Sequence, residues 1–490
     1  MIHKGNSMEK IKKALLAVTV CTCFSSFCSP ALCSNISLPD IGTAGAQGIT
    51  VQREQQIGQY FMRNARGQMP ILDDPVLNEY VTSVGNNLVL HASNVHFPFE
   101  FFLVNNPQLN ASAFLGGKIM VNTGLIHYSR NVDEFASVLA HEVSHVTQRH
   151  IARYIESQMK MNTVTIAGLI GSIAMAIINP MVGAAALSTT MGISTQASIN
   201  FTRENETEAD ALGIDLLYKS GYDPAGMVSM FKTLLDKQGN LNPMFAMLMD
   251  HPLSEIRVAQ AQNRTMHYPK RKPTQDANFE MAKARVDVRY MNIDLNALKK
   301  QLQSANTEIS SVYRLYALAL ISYEQKSYTE SRSYLQRMPN LSGNIFVLDL
   351  LTDLDIQEHQ SGRAVERLRS HYRNKPNNEA ICMNLCNALI IDGKYKEAIQ
   401  ILNKFIKKNP NNTIALDLLS TAQNKTHNRC EALQSKGMEY ALRANYSRAI
   451  NLLNDAMNSC SDKYTRAILK ARITEVNEQR RFDESFSNGL

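Results

Sequence analysis

Tryptophan is missing from the chain, and aromatic residues make up only 7% of its 490 positions. Also missing is an unbroken apolar run of the roughly 20 residues that a membrane-spanning helix needs. Residues 163–198 carry no charge, but Asn179-Pro180 cuts them into halves. Cysteine is absent from residues 34 to 381, and Lys plus Arg exceed Asp plus Glu by only 7. These absences exclude a mini-protein held together by disulfides. They also argue against a nucleic-acid partner, which would call for a concentrated basic patch. With 44% hydrophobic residues the chain has enough apolar surface for a packed core, so it is not a disordered tail protein. Its length suggests about three domains.

What charge and cysteine there is lies unevenly. Lys4, Lys10, Lys12 and Lys13 against Glu9 place +3 in residues 1–33, leaving only +4 of the total +7 for the rest. Lys10–Lys13, the 11 apolar residues Ala14–Phe24 and the small residues up to Ala31-Leu32-Cys33 read as a secretory signal peptide, 1–33. Export permits disulfides. Cys430 and Cys460 flank a predicted helix hairpin and could meet at its open end. Cys382 and Cys386, one helical turn apart, fit a disulfide poorly and read as small packing residues.

Periodicity predicts a helix from Val51 to Arg66, an amphipathic helix over 76–92, and short strands at Phe99–Val104 and Lys118–Asn122. A long helix is expected from Val132 to about Met159, capped by Asn131 with Glu134 three residues on. Another is expected from Glu204 to Ser220-Gly221, with Asp223-Pro224 opening the next. The stretch 163–198 is expected either to pack as a helical hairpin over the preceding domain or to touch a membrane surface or an unfolded client. Pro269-Lys-Arg-Lys-Pro273 marks a boundary. Beyond it Ala364 recurs as Ala398 and Pro376 as Pro410, each 34 residues on, while Gly362 and Gly393 sit three residues out of register. Tyr328-Thr-Glu-Ser331 and Tyr446-Ser-Arg-Ala449 extend the pattern, which resembles the tetratricopeptide repeat without its usual tryptophan.

The chemistry is concentrated in His141-Glu142-Val143-Ser144-His145. Positions i and i+4 share a helical face, so both imidazoles can bind one metal ion. Glu142 beside them can take a proton from water and return it to a leaving amine. Glu206-Thr-Glu-Ala-Asp210 follows in a separate helix. Glu206 could be a third ligand, and Asp210 could hydrogen-bond a ligating histidine and fix its tautomer. His127 and His150 read as ordinary surface or packing residues.

HExxH followed by ExxxD resembles the zinc peptidase family that includes the HtpX proteases and the CAAX prenyl endopeptidases. The likeness is carried by Leu38-Pro-Asp-Ile-Gly42, Phe101-Phe-Leu-Val-Asn-Asn106, Asn110-Ala111, Gly116-Gly117, the run Ala140–His150, Asn205–Asp210, His251-Pro-Leu and the repeats. It extends to exported family members that bear a repeat array. The resemblance implies a mainly α protein: a zincin-like metalloprotease domain with a small β-sheet over 34–272, then an α-helical tetratricopeptide-repeat array over 273–490. It implies one Zn2+ held by His141, His145 and Glu206, Glu142 as base, and Asp210 as an assisting acid. The run Ser112–Val121 would supply a strand that holds extended substrate, and His251 would be a regulatory fourth ligand that silences the site. Arg257 is a candidate charge partner near it. The same resemblance implies a periplasmic endopeptidase that degrades misassembled outer-membrane proteins and gives chaperone-like help to β-barrel assembly. Its partners would be those barrels and their assembly machinery. The alternative is a repeat-based scaffold with little protease activity.

Overall fold

The structure is a computed structural model that describes residues 49–161, 166–178, 203–238, 251, 253–304, 310–338 and 343–487. The leader, Pro252 and positions 179–198 of the uncharged stretch lie outside the described residues.

Helices α1 (Val51–Gln68) and α2 (Pro75–His91) come first. Thr50 caps α1. Asp74 caps α2 by accepting from Val76 N and Leu77 N at 3.2 and 3.1 Å, and Pro75 takes the first position, where no backbone N–H is needed. Strands β1 (Glu100–Val104), β2 (Ala111–Phe114) and β3 (Lys118–Asn122) form a sheet in the order β1-β3-β2. β1 runs parallel to β3, with Phe102 opposite Met120. β2 runs antiparallel to it, with Ala113 opposite Ile119. Gly116 and Gly117 close the β2–β3 hairpin at φ +71° and +75°, a region open to glycine without strain. β2 is thus an edge strand.

After α3 (Thr123–Tyr128), helix α4 (Val132–Thr147) is buried at every position, and Asn131 caps it by accepting from Glu134 N at 3.0 Å. The helix expected to run unbroken to Met159 is divided. Arg149 adopts φ +53°, and α5 (His150–Met161) starts in a new direction. The break is held from outside, because the Arg149 guanidinium donates to Glu54 and to the Ile49 carbonyl. Helix α6 (Ile166–Ile178) is the described half of the uncharged stretch. It buries Leu169, Ile170, Ile173 and Ala174 in one cluster with Ile57, Phe61, Ile155 and Phe486. Helices α7 (Arg203–Lys219), α8 (Ala225–Gln238) and α9 (Glu255–Thr265) follow. As expected from Asp223-Pro224, the Asp223 side chain accepts from Ala225 N at 3.0 Å.

The remainder is a helical array: α10 (Ala277–Arg289), α11 (Leu295–Gln303), α12 (Ser311–Glu324), α13 (Tyr328–Gln336), α14 (Ile345–Gln357), α15 (Ser361–Asn374), α16 (Glu379–Ile391), α17 (Tyr395–Lys408), α18 (Thr413–Lys425), α19 (Arg429–Leu442), α20 (Tyr446–Ser459) and α21 (Lys463–Ser487). Ser331, Ala364, Ala398 and Ala449 are all fully buried, so paired helices approach closely at these small positions. The glycine register is corrected here. The left-handed residue that matches Gly393 is His359, 34 positions earlier, and not Gly362. Lys326, His427 and Ala444 hold the same conformation, with φ from 55° to 61°. Cys430 and Cys460 are joined, with Cα atoms 5.5 Å apart, while Cys382 and Cys386 are buried thiols.

One apolar cluster runs from Leu72 through Ala380, so the array and the sheet-bearing part share a core. Arg285 crosses that junction, donating to Asp74 at 2.7 Å and Asp349 at 2.6 Å, all three buried. At the far end Arg63 pairs with Asp483 and Phe486 stacks on Tyr60, so α21 docks on α1. No helix among the described residues is long and apolar enough to cross a membrane.

Candidate metal centre

Helix α4 projects His141 and His145 from one face, one turn apart, with Nε2 atoms 2.9 Å from each other. Helix α7 packs against α4 and brings Glu206 to 3.5 Å from each imidazole. The helices meet this closely because position 213 has no side chain: a Cβ there would lie 3.3 Å from the His141 backbone nitrogen and 3.0 Å from Met227 Cε. His251 enters from the far side. Its Nδ1 lies 3.0 Å from Glu206 Oε1 and 3.4 Å from His141 Nε2, and its Nε2 is 3.5 Å from Glu142 Oε1. One ligand atom from each of His141, His145, Glu206 and His251 falls within 4.8 Å of the others, and all four residues are buried.

The outer atoms of these groups are also held. Asp210 Oδ1 lies 3.0 Å from His141 Nδ1. Arg257 grips Asp210 with two hydrogen bonds of 2.8 Å and reaches Glu206 Oε2 at 2.9 Å, so the charge partner suspected from sequence does sit at the site. Burial disfavours a charged His141, yet hydrogen bonds to Asp210 and Glu206 lift its pKa to about 10. Burial pushes His145 well down, aided by the charge of His141. Glu206 is desolvated too, but the charge of His251 and hydrogen bonds from His141 and His251 hold its carboxyl far below the usual range. Two imidazole nitrogens and a carboxylate aimed at one point, with Asp210 behind His141, form a donor set that fits a divalent transition metal.

Glu142 lies just outside this ligand set. Its Oε2 accepts from Ala113 N of the edge strand β2 at 2.8 Å, and burial raises its pKa. The catalytic candidate and the strand expected to hold substrate therefore touch.

His150 corrects the sequence reading. It is fully buried, and its Nδ1 is 2.8 Å from His145 Nδ1, so it belongs to the centre. Helical spacing gave no sign of this, because the contact depends on the turn at Arg149. His127 pairs with Asp287 at 2.6 Å, away from the centre.

The family model described as Peptidase family M48 matches residues 75–265, a span that includes α4, α7 and α9. The chain is also 36% identical over 482 residues to the beta-barrel assembly-enhancing protease of Escherichia coli K12, an alignment covering 97% of this chain and 98% of the relative. The chain belongs to peptidase family M48. It is 35% identical to the protein of the same name from Yersinia pestis, over 92% of this chain and 93% of that one. A more distant likeness is to the mitochondrial metalloendopeptidase OMA1 of Schizosaccharomyces pombe, 23% identical over 41% of this chain and 57% of that protein. Membership makes the chain a metallopeptidase, and its one described metal-ligating cluster is the His141–His145–Glu206–His251 group.

Proposed function

We propose that this M48 metallopeptidase is a zinc-dependent endopeptidase of the periplasm, which degrades misassembled outer-membrane β-barrel proteins and assists barrel assembly. The observation that carries the enzymatic part is the convergence of His141, His145 and Glu206 beside Glu142, itself bonded to the edge strand. Support for the substrate class comes from the relatives named for β-barrel assembly, and support for export comes from the leader. In this reading residues 34–272 form the peptidase part and 273–490 a tetratricopeptide array that offers a surface to partners.

Zinc held by His141, His145 and Glu206 would supply Lewis acidity toward the scissile carbonyl and the attacking water. An extended substrate adds antiparallel to β2, which brings its scissile peptide beside Glu142. Glu142 takes the proton of the attacking water and delivers it to the leaving amine. Asp210, clamped by Arg257, holds the His141 ring in place. His251, within 3.5 Å of Glu142 and 3.0 Å of Glu206, acts as a self-inhibitory fourth ligand in the resting enzyme. The deciding experiment is metal content with paired activity. Purified protein should carry about one zinc per chain and cleave casein, and Glu206→Ala should lose both. Freshly prepared protein without metal overturns the reading.

A further inference from the structure

The two imidazoles that α4 presents to the centre are backed by different groups. His141 Nδ1 faces a carboxylate, Asp210, whereas His145 Nδ1 faces a second imidazole, His150 Nδ1, at 2.8 Å. Two ring nitrogens at that distance share one hydrogen, so one donates and the other accepts. His150 Nε2 in turn lies 3.1 Å from Glu208 Oε2, on the turn of α7 between Glu206 and Asp210. A carboxylate only accepts, so the hydrogen of His150 sits on Nε2 and its Nδ1 carries the lone pair. His145 Nδ1 is then the donor, and its Nε2 lone pair faces Glu206 and His141. The opposite assignment would aim an N–H at His141 Nε2, 2.9 Å away, and fill the space a metal requires.

We propose that His150 and Glu208 are positioning residues. The chain Glu208–His150–His145 fixes the tautomer in which His145 can ligate, the counterpart of Asp210 behind His141. This rests on the metallopeptidase reading of the site. It also gives the helix break a purpose. In an uninterrupted helix, residue 150 would stand about 140° around the axis from His145. With Arg149 at φ +53° the chain turns instead, and the first residue of α5 comes to lie against His145. Arg153 Nη2, 3.0 Å from Glu208 Oε2, steadies the carboxylate at the outer end, where Glu208 is 40% exposed.

The test measures zinc affinity of the full chain by competition with a chromophoric chelator, alongside the histidine 15N spectrum of the metal-free protein. His150→Phe should weaken zinc binding by about 10–100-fold with the far-ultraviolet dichroism unchanged, and the His145 ring should become a mixture of tautomers. His150→Gln, whose amide oxygen can accept from His145, should recover most of the affinity. Glu208→Ala, at the more exposed end, should lose several-fold and keeps the test open if His150→Phe does not fold. Affinity within about twofold of the parent in His150→Phe or Glu208→Ala, or a Gln variant no better than Phe, overturns the proposal. A parent protein that binds no zinc overturns the metallopeptidase reading instead.

Discussion

Glu142 has one oxygen engaged by Ala113 N at 2.8 Å and the other 3.5 Å from His251 Nε2. Glu142→Gln keeps an acceptor for Ala113 but removes the base. Casein cleavage should fall by about 10²–10⁴-fold while bound zinc stays. If the same variant still complements a deletion strain fully, the scaffold alternative gains the ground that proteolysis loses. His251→Ala should raise cleavage several-fold, and a rate equal to or below that of the parent removes the self-inhibitory role. Much of this site was legible in the sequence, because i and i+4 spacing puts His141 with His145 and Glu206 with Asp210 on single faces whatever the tertiary fold. His150 was not legible. Its place depends on the Arg149 turn, which is held by Glu54 and Ile49 about a hundred residues earlier, and no local pattern encodes such a contact.

At the scale of elements, the approach of α7 to α4 decides whether the donor atoms converge. Gly213→Val would insert carbons where even a Cβ meets the His141 backbone nitrogen at 3.3 Å. It should therefore weaken zinc binding in a chelator titration although residue 213 touches no ligand side chain; unchanged affinity would show that the helix spacing has slack. In the array the small residues do similar work. Ala398→Leu places a branched side chain at a fully buried position and should cost about 1–3 kcal/mol in denaturant unfolding. The array's 34-residue period was legible from Ala364 and Ala398, yet its turn register was not. The left-handed position recurs at Lys326, His359, Gly393 and His427, with Ala444 half a period further on, so glycine marks only one of these five turns.

The whole molecule is held by charges that respond to acid in opposite senses. Burial opposes the Asp74 carboxylate, but the charge of Arg285 and its hydrogen bond keep its pKa below the ordinary value. Its stabilising contribution is present above about pH 4 and is lost as pH falls through the depressed folded value. Glu379 and Asp353 behave the other way. Desolvation, with Glu79 near the first and Asp349 near the second, lifts each to about 7. Between about pH 7 and 4 the folded state therefore binds more protons at these two sites, so stability rises as pH falls through that window. Melting temperature should peak on the acid side of neutrality and drop below about pH 4; a monotonic fall from pH 8 downward would contradict this. The array that these groups anchor is fastened to the peptidase part at both of its ends, by Arg285 on Asp74 and by Asp483 on Arg63. In a linear stack of repeats each unit contacts only its neighbours, so losing one costs that unit and its interface. Here the stack starts and finishes on the same body, so the number of repeats is a closure condition, like the number of staves in a barrel. Removing one 34-residue unit would not shorten the protein gracefully. It would leave Asp483 and Phe486 unable to reach Arg63 and Tyr60, strip the cover from α6, and change the peptidase part from more than 300 residues away.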